Sequence, residues 1–177
     1  MTQLLLAIHI LAGSGLLFAL GLEWTVLSRL RRAESGSQVL ELAPLLRVGR
    51  LVGLPSLILV VAAGLYMAGA EWGWPSWTLV AVMSMLALPP LGAINGIRLQ
   101  SLTAPAAIDP GELPHDVRAR LRQPLFWTSI AIRSALVVGI VVLMAVKPDT
   151  LASITLMVGS ILVGAALSVP AWIRQDV

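Results

Sequence analysis

A chain of 177 residues in which 58 % are hydrophobic and only 12 % are charged is not a soluble globular domain, where charged residues make up about 25 %. The net charge of +3 does not indicate a nucleic-acid partner, because the arginines fall in short segments between long apolar stretches. The absence of cysteine excludes disulfides, thiol catalysis and cysteine-ligated metals. The length suits one domain, and we expect lipid to be the main solvent of its apolar surface.

The predicted fold is all-α: a single domain over residues 1–177, built as a bundle of five transmembrane helices. The first apolar stretch, residues 4–27, contains two titratable side chains, His9 and Glu23. As a helix it is roughly 36 Å long, enough to cross a hydrocarbon core of about 30 Å. It lacks the positive start of a signal peptide, so we expect it to be retained. The other four predicted helices cover residues 51–70, 77–97, 125–146 and 151–173.

The positive charges predict the orientation of this bundle. If five helices alternate in direction, ten arginines lie at one end and only Lys147 lies at the other. Because positive loops stay in the cytoplasm, we expect the N-terminus outside and the C-terminus inside a bacterial inner membrane. The six tryptophans are expected to divide between the two membrane interfaces. The ten arginines are Arg29, Arg31, Arg32, Arg47, Arg50, Arg98, Arg118, Arg120, Arg122 and Arg174.

The third predicted helix is interrupted in sequence by Pro89-Pro90, which predicts a kink or a break. Asn95 follows about one turn later and is a candidate partner for the released carbonyls. We expect residues 31–42 and 104–123 to be connectors. Within the second connector, residues 116–122 also have the composition of an interfacial helical turn.

Three polar side chains inside the apolar stretches are candidates for a site. By depth, Glu23 and Arg133 are expected to meet near the cytoplasmic leaflet, with Asn95 in the same layer. One interpretation is a structural salt bridge between two helices. The other is an anion site, in which Arg133 binds a carboxylate or a phosphate with help from Arg47, Arg50 or Arg98 at the rim. The sequence leaves both open.

His9 is predicted near the opposite face, at the depth of several methionines. A histidine with nearby thioethers can ligate haem iron or copper(I), whereas methionines also serve simply as packing residues. His9, Met67 and Met85 are therefore candidate metal ligands. Met83 and Met144 are further candidates to hold a cofactor.

Three segments carry a family resemblance: HILAGSGLLFALGL, which begins with His9; RVGRLVGLPSLILVVAAGLYM, residues 47–67; and VVLMAVKPD, residues 141–149. Together they resemble the HemJ-type protoporphyrinogen oxidases and the membrane domain of copper-resistance D proteins. The chain is more similar to a related family of predicted integral membrane proteins of unknown function. The HemJ resemblance implies that His9 binds haem b and that Lys147, at the end of the fourth helix, is functionally important.

The sequence thus leads to three functional hypotheses. The first is a membrane protein that binds haem or a porphyrin through His9, with HemJ-like oxidoreductase activity left open. The second is a transporter or channel for copper or a small solute. The third is a structural or assembly subunit of a membrane complex. The lipid bilayer is the expected partner in each, and the sequence leaves open a homo-oligomer or a larger complex.

Overall fold

A computed structural model describes residues 2–106 and 111–173, so Arg174 and residues 107–110 lie outside the described residues. Over that part of the chain the fold is entirely helical, without strands, which confirms the predicted all-α class with five long helices. A π-helical turn, Ala68–Trp72, extends the second helix. The helices are α1 Thr2–Leu30, α2 Gly36–Met67, α3 Ser76–Ala106, α4 His115–Leu121, α5 Pro124–Val146 and α6 Thr150–Ile173.

Local chemistry explains where these helices begin and end. The Ser35 hydroxyl accepts a hydrogen bond from the Gln38 amide at the start of α2, and the Asp149 carboxylate accepts one from the Ala152 amide at the start of α6. Both are N-cap contacts that satisfy free amides of a first turn. At the other ends, Gly73 and Lys147 adopt left-handed backbone conformations that terminate the preceding helices.

The second helix begins fifteen residues earlier than predicted, and the predicted connector at residues 31–42 is wrong from residue 36 onward. The extra turns are stable because Val39 and Leu42 are buried in the apolar core, while Glu41 on the same turns is exposed. With its π-helical turn, this helix spans 37 residues, or about 55 Å. It therefore extends beyond a hydrocarbon core of about 30 Å.

Of the kink or break predicted at Pro89-Pro90, the break does not occur, because α3 remains helical from Ser76 to Ala106. Transmembrane helices tolerate proline where neighbouring helices support the backbone. One such contact lies just beyond the prolines, where the Ser129 hydroxyl of α5 donates a 2.7 Å hydrogen bond to the Leu91 carbonyl. Within the second predicted connector, His115–Leu121 form the helix α4, so the helical turn that the composition of residues 116–122 allowed is present and the expectation of a plain connector is wrong there.

The helices pack as two hairpins, α1 with α2 and α5 with α6, and α3 lies against α5. One apolar cluster fills the end that contains the α1–α2 loop, α4 and the start of α5. Trp24 and Trp127 contact each other at this end, with ring centroids 5.1 Å apart and ring planes tilted by 56°, and Arg31 lies over Trp127. We refer to it as the arginine-rich end. Its described arginines are Arg29, Arg31, Arg32, Arg47, Arg50, Arg98, Arg118, Arg120 and Arg122.

The opposite end, which we refer to as the Lys147 end, is closed by aromatic contacts between two loops. The Lys147 ammonium lies 5.1 Å from the ring centre of Trp72 and 5.8 Å from that of Trp77. The two tryptophans also contact each other. The tryptophans therefore divide between the two ends, as expected for interfacial belts. The five long helices are apolar enough to span a membrane, and the protein is a multi-pass integral membrane protein.

Candidate functional site

A cavity of about 590 Å³ lies between α1, α2, α3 and α5, in the half of the bundle nearer the arginine-rich end. Its walls are mainly apolar, and its edges include Leu54 on α2 and Ile97 on α3, which are 60 % and 70 % exposed. The cavity therefore opens between α2 and α3, on the surface that faces lipid in a membrane-spanning bundle. Its volume is within the range of small-molecule sites in proteins.

One wall of the cavity carries a polar cluster formed by Glu23, Arg133 and Asn95. The Arg133 Nη2 group donates to the Glu23 Oε1 atom in an ion pair between α5 and α1. Asn95 Nδ2, on α3, donates to the same oxygen at 3.2 Å and also to the Phe126 carbonyl at 3.4 Å. The structure thus brings together the three side chains that the sequence suggested for a salt bridge or an anion site.

This cluster is buried but incompletely satisfied. Arg133 is 8 % exposed and Asn95 is 2 % exposed, while the Arg133 Nε and Asn95 Oδ1 atoms have no hydrogen-bond partner in the protein. A buried polar atom without a partner costs about 1–3 kcal/mol. One donor and one acceptor beside the ion pair therefore lack partners, and each belongs to a side chain that lines the cavity.

Small residues on α3 and α5 allow the arginine to fit. A Cβ atom added at Gly92 would lie 2.9 Å from Arg133 Nη1, so a larger side chain there would displace the guanidinium. The Ser134 hydroxyl next to Arg133 accepts a 2.8 Å hydrogen bond from the Trp24 indole, which helps to hold α5 against α1. Contacts with α1 and α3 therefore fix the position of Arg133.

The charge of the cavity is slightly positive. Three charged residues line it: Glu23, Arg133 and, near its mouth on α2, the exposed Arg50. Glu23 and Arg133 neutralise each other, which leaves Arg50 as the excess charge. The other rim arginines suggested from sequence, Arg47 and Arg98, do not line the cavity. This arrangement attracts an anionic group to the mouth, while the polar wall itself carries no net charge.

His9 lies elsewhere, near the Lys147 end of α1. Its Nδ1 atom is 3.0 Å from the Val60 carbonyl, and its ring covers Gly64, where an added Cβ would lie 3.1 Å from the His9 Cε1 atom. Because a carbonyl can only accept, Nδ1 carries the proton in this contact and Nε2 keeps its lone pair. His9 does not line the cavity.

The other residues suggested for a cofactor or metal lie in different surroundings. Lys147 contacts the tryptophans of the Lys147 end. Met67 and Met85 are buried, Met144 packs against the apolar core, and Met83 is 68 % exposed on the surface of α3. Within residues 2–106 and 111–173, no group of three His, Cys, Asp or Glu side chains is placed to hold a metal ion.

Sequence reasoning missed the glycines that shape the cavity. Gly49 and Gly53 on α2, and Gly92 and Gly96 on α3, all line it. Each pair is spaced four residues apart, so both members lie on one helix face. This small-xxx-small spacing was the available signal.

Comparisons of the chain with protein-family models, with curated proteins and with solved structures find no match.

Proposed function

We propose that this membrane protein binds an anionic amphiphile, with the head group at Arg133 and the apolar part in the cavity. The single observation that carries the proposal is the combination of a lipid-facing opening with a buried guanidinium that has an unpartnered donor. A ligand already dissolved in the bilayer can enter between α2 and α3 without crossing water. The head group is a carboxylate or a phosphate, because both match the planar donor pattern of arginine.

Lipid-like ligands suit the walls better than small hydrophilic ions do. Apart from the polar cluster and Arg50 at the mouth, the lining consists of leucine, isoleucine, valine, alanine, proline and glycine residues. Burial of apolar ligand surface against such walls contributes about 25 cal/mol per Å². The second sequence hypothesis, a transporter of a small solute, thus becomes a carrier or binding protein for a membrane-soluble anion.

The test uses cis-parinaric acid, a fluorescent fatty acid, with the purified protein in an uncharged detergent. We expect saturable binding that is displaced by dodecyl phosphate or dodecanoate and about tenfold less effectively by dodecanol, which lacks the charge. If only the phosphate or only the carboxylate competes, that arm identifies the head group. If dodecanol competed equally well, the charge of the head group would not contribute to binding, and Arg133 would not be the residue that binds it.

Gly96→Leu is the blocking variant, because a Cβ at Gly96 meets nothing within 4 Å and the added side chain would occupy the cavity. Gly159→Leu on α6 is its matched control, since that glycine also has open space but does not line the cavity. We expect parinaric acid binding to weaken at least tenfold in Gly96→Leu and to be unchanged in Gly159→Leu. Equal binding by both variants would contradict the location.

A second candidate, haem or porphyrin binding as implied by the HemJ resemblance, is favoured by the His9 contact. Metal-ligating histidines commonly donate one ring N–H to a carbonyl and bind metal through the other nitrogen, and His9 makes the first of these contacts. A Soret band after haem supplementation that is lost in His9→Ala would support this candidate. A spectrum without a Soret band would remove it.

A further inference from the structure

We propose that the anionic head group replaces Glu23 as the partner of Arg133, and that Glu23 takes up one proton as this happens. The inference rests on the proposed function, because it concerns how the same ligand enters the same site. It makes ligand binding proton-coupled: one proton is taken from solvent for each anion bound. The net charge of the buried cluster then stays at zero.

The first argument is charge balance. The titratable or charged groups that line the cavity with Glu23 are Arg133 on α5 and Arg50 on α2. The polar side chain that α3 contributes to the lining is the neutral Asn95. Arg50 is exposed at the mouth and is screened there. An anion added beside the intact Glu23–Arg133 pair would therefore leave one uncompensated negative charge inside the bundle. Such charges are costly in a membrane, and protonation of Glu23 removes the excess.

The second argument concerns hydrogen bonds. The Glu23 Oε1 atom now accepts from both Arg133 Nη2 and Asn95 Nδ2, while Arg133 Nε and Asn95 Oδ1 have no partner. A protonated Glu23 becomes a donor. Its other oxygen still accepts from Asn95 Nδ2, which keeps its contact with the Phe126 carbonyl, and the new O–H can donate to an oxygen of the bound head group.

Release of Glu23 also frees a second hydrogen-bond donor of Arg133. With Nη2 free and Nε unpartnered, Arg133 presents two neighbouring N–H groups on one edge of the guanidinium. Two oxygens of a carboxylate or a phosphate match this edge in a bidentate contact. The exchange thus gives a partner to Arg133 Nε, without any change in net charge. No covalent bond forms or breaks apart from the transfer of the proton to the Glu23 carboxylate.

The test measures protons directly, with decanesulfonate as the probe because the charge of a sulfonate does not change with pH. Calorimetric titration of the wild-type protein in two buffers of different ionisation enthalpy gives the number of protons taken up per ligand. We expect about one proton at pH values where Glu23 is ionised in the empty protein. Affinity should then fall about tenfold for each pH unit of increase.

Glu23→Gln should bind decanesulfonate without proton uptake and with an affinity independent of pH. The reason is that glutamine cannot take up a proton and leaves Arg133 without a negatively charged partner. Glu41→Gln, which changes an exposed carboxylate of α2, is the matched control and should retain the uptake of one proton. The number of protons taken up by the wild-type protein tests the proposal even if Glu23→Gln does not fold. Binding that Gly96→Leu blocks but that takes up no proton would overturn the exchange and leave the proposed function intact. Failure of both decanesulfonate and cis-parinaric acid to bind would overturn both.

Discussion

At the scale of single residues, Arg133 and Glu23 depend on each other, because neither charge is exposed enough to be solvated alone. Their side chains are 10 % and 22 % exposed. Arg133→Met leaves the carboxylate without its cation, and we expect the free energy of unfolding to fall by about 3 kcal/mol. Titration with sodium dodecyl sulfate in mixed micelles, followed by tryptophan fluorescence, measures this loss.

The double variant Glu23→Gln/Arg133→Met is the control for that prediction. Its glutamine oxygen still accepts from Asn95 Nδ2, so the buried amide keeps its partner. We expect most of the stability lost in Arg133→Met to return. If both proteins were equally destabilised, the loss would come from packing around Arg133 rather than from the unpaired charge.

Gly164 is the residue that lets α6 approach α5. A Cβ atom there would lie 2.6 Å from Ile132 Cα and 2.9 Å from the Ala131 carbonyl oxygen, both of which are backbone atoms. Because a backbone cannot rotate away, Gly164→Ala should separate the helices and cost about 1–3 kcal/mol in the same unfolding titration. Gly159→Ala, in open space on the same helix, should instead be neutral or slightly stabilising. Equal effects of the two substitutions would contradict the close approach.

At the scale of elements, the sequence predicted the five long helices because apolar length is a strong signal in a membrane protein. Glu23, Arg133 and Asn95 stood out for the related reason that polar side chains are rare in such stretches. The early start of α2 was missed because residues 36–50 alternate apolar and polar groups as a soluble helix does. The cavity was missed because its shape depends on how α1, α2, α3 and α5 pack together, which composition does not encode.

The short helix α4 connects the loops of the arginine-rich end. Its Val117 and Leu121 side chains are buried, as is Leu113 just before it, and Leu113 N donates to the Glu34 carbonyl at 3.1 Å. Val117→Asp removes apolar burial worth about 2 kcal/mol and places a charge in the apolar cluster. We expect α4 to detach and trypsin to cleave after its arginines at least tenfold faster.

Ala119→Asp supplies the comparison for α4, because residue 119 is exposed on the same helix. That variant should be cleaved at the wild-type rate. Trypsin cleavage of Val117→Asp at the wild-type rate would mean that α4 is held by its polar contacts, such as the one between Arg118 and the Glu34 carbonyl, rather than by burial.

At the scale of the whole molecule, charge is distributed very unevenly between the two ends. The described residues place nine arginines at the arginine-rich end and only Lys147 as a basic residue at the other. Polar extensions of α1, α2 and α3 and the whole of α4 lie at the arginine-rich end as well. Such an end is costly to translocate, and the positive-inside rule predicts that it remains in the cytoplasm.

The orientation can be measured directly because the chain has no cysteine, so each introduced cysteine is a unique label site. Thr150 is exposed at the Lys147 end, Ala119 is exposed on α4, and Val60 is buried. In intact bacterial spheroplasts, a membrane-impermeant maleimide should label Thr150→Cys at once, Ala119→Cys only after permeabilisation, and Val60→Cys only after denaturation. Labelling of Ala119→Cys in intact spheroplasts would place nine arginines outside. The mouth of the cavity, which lies nearer that end, would then open in the outer leaflet, and its amphiphile would have to come from there.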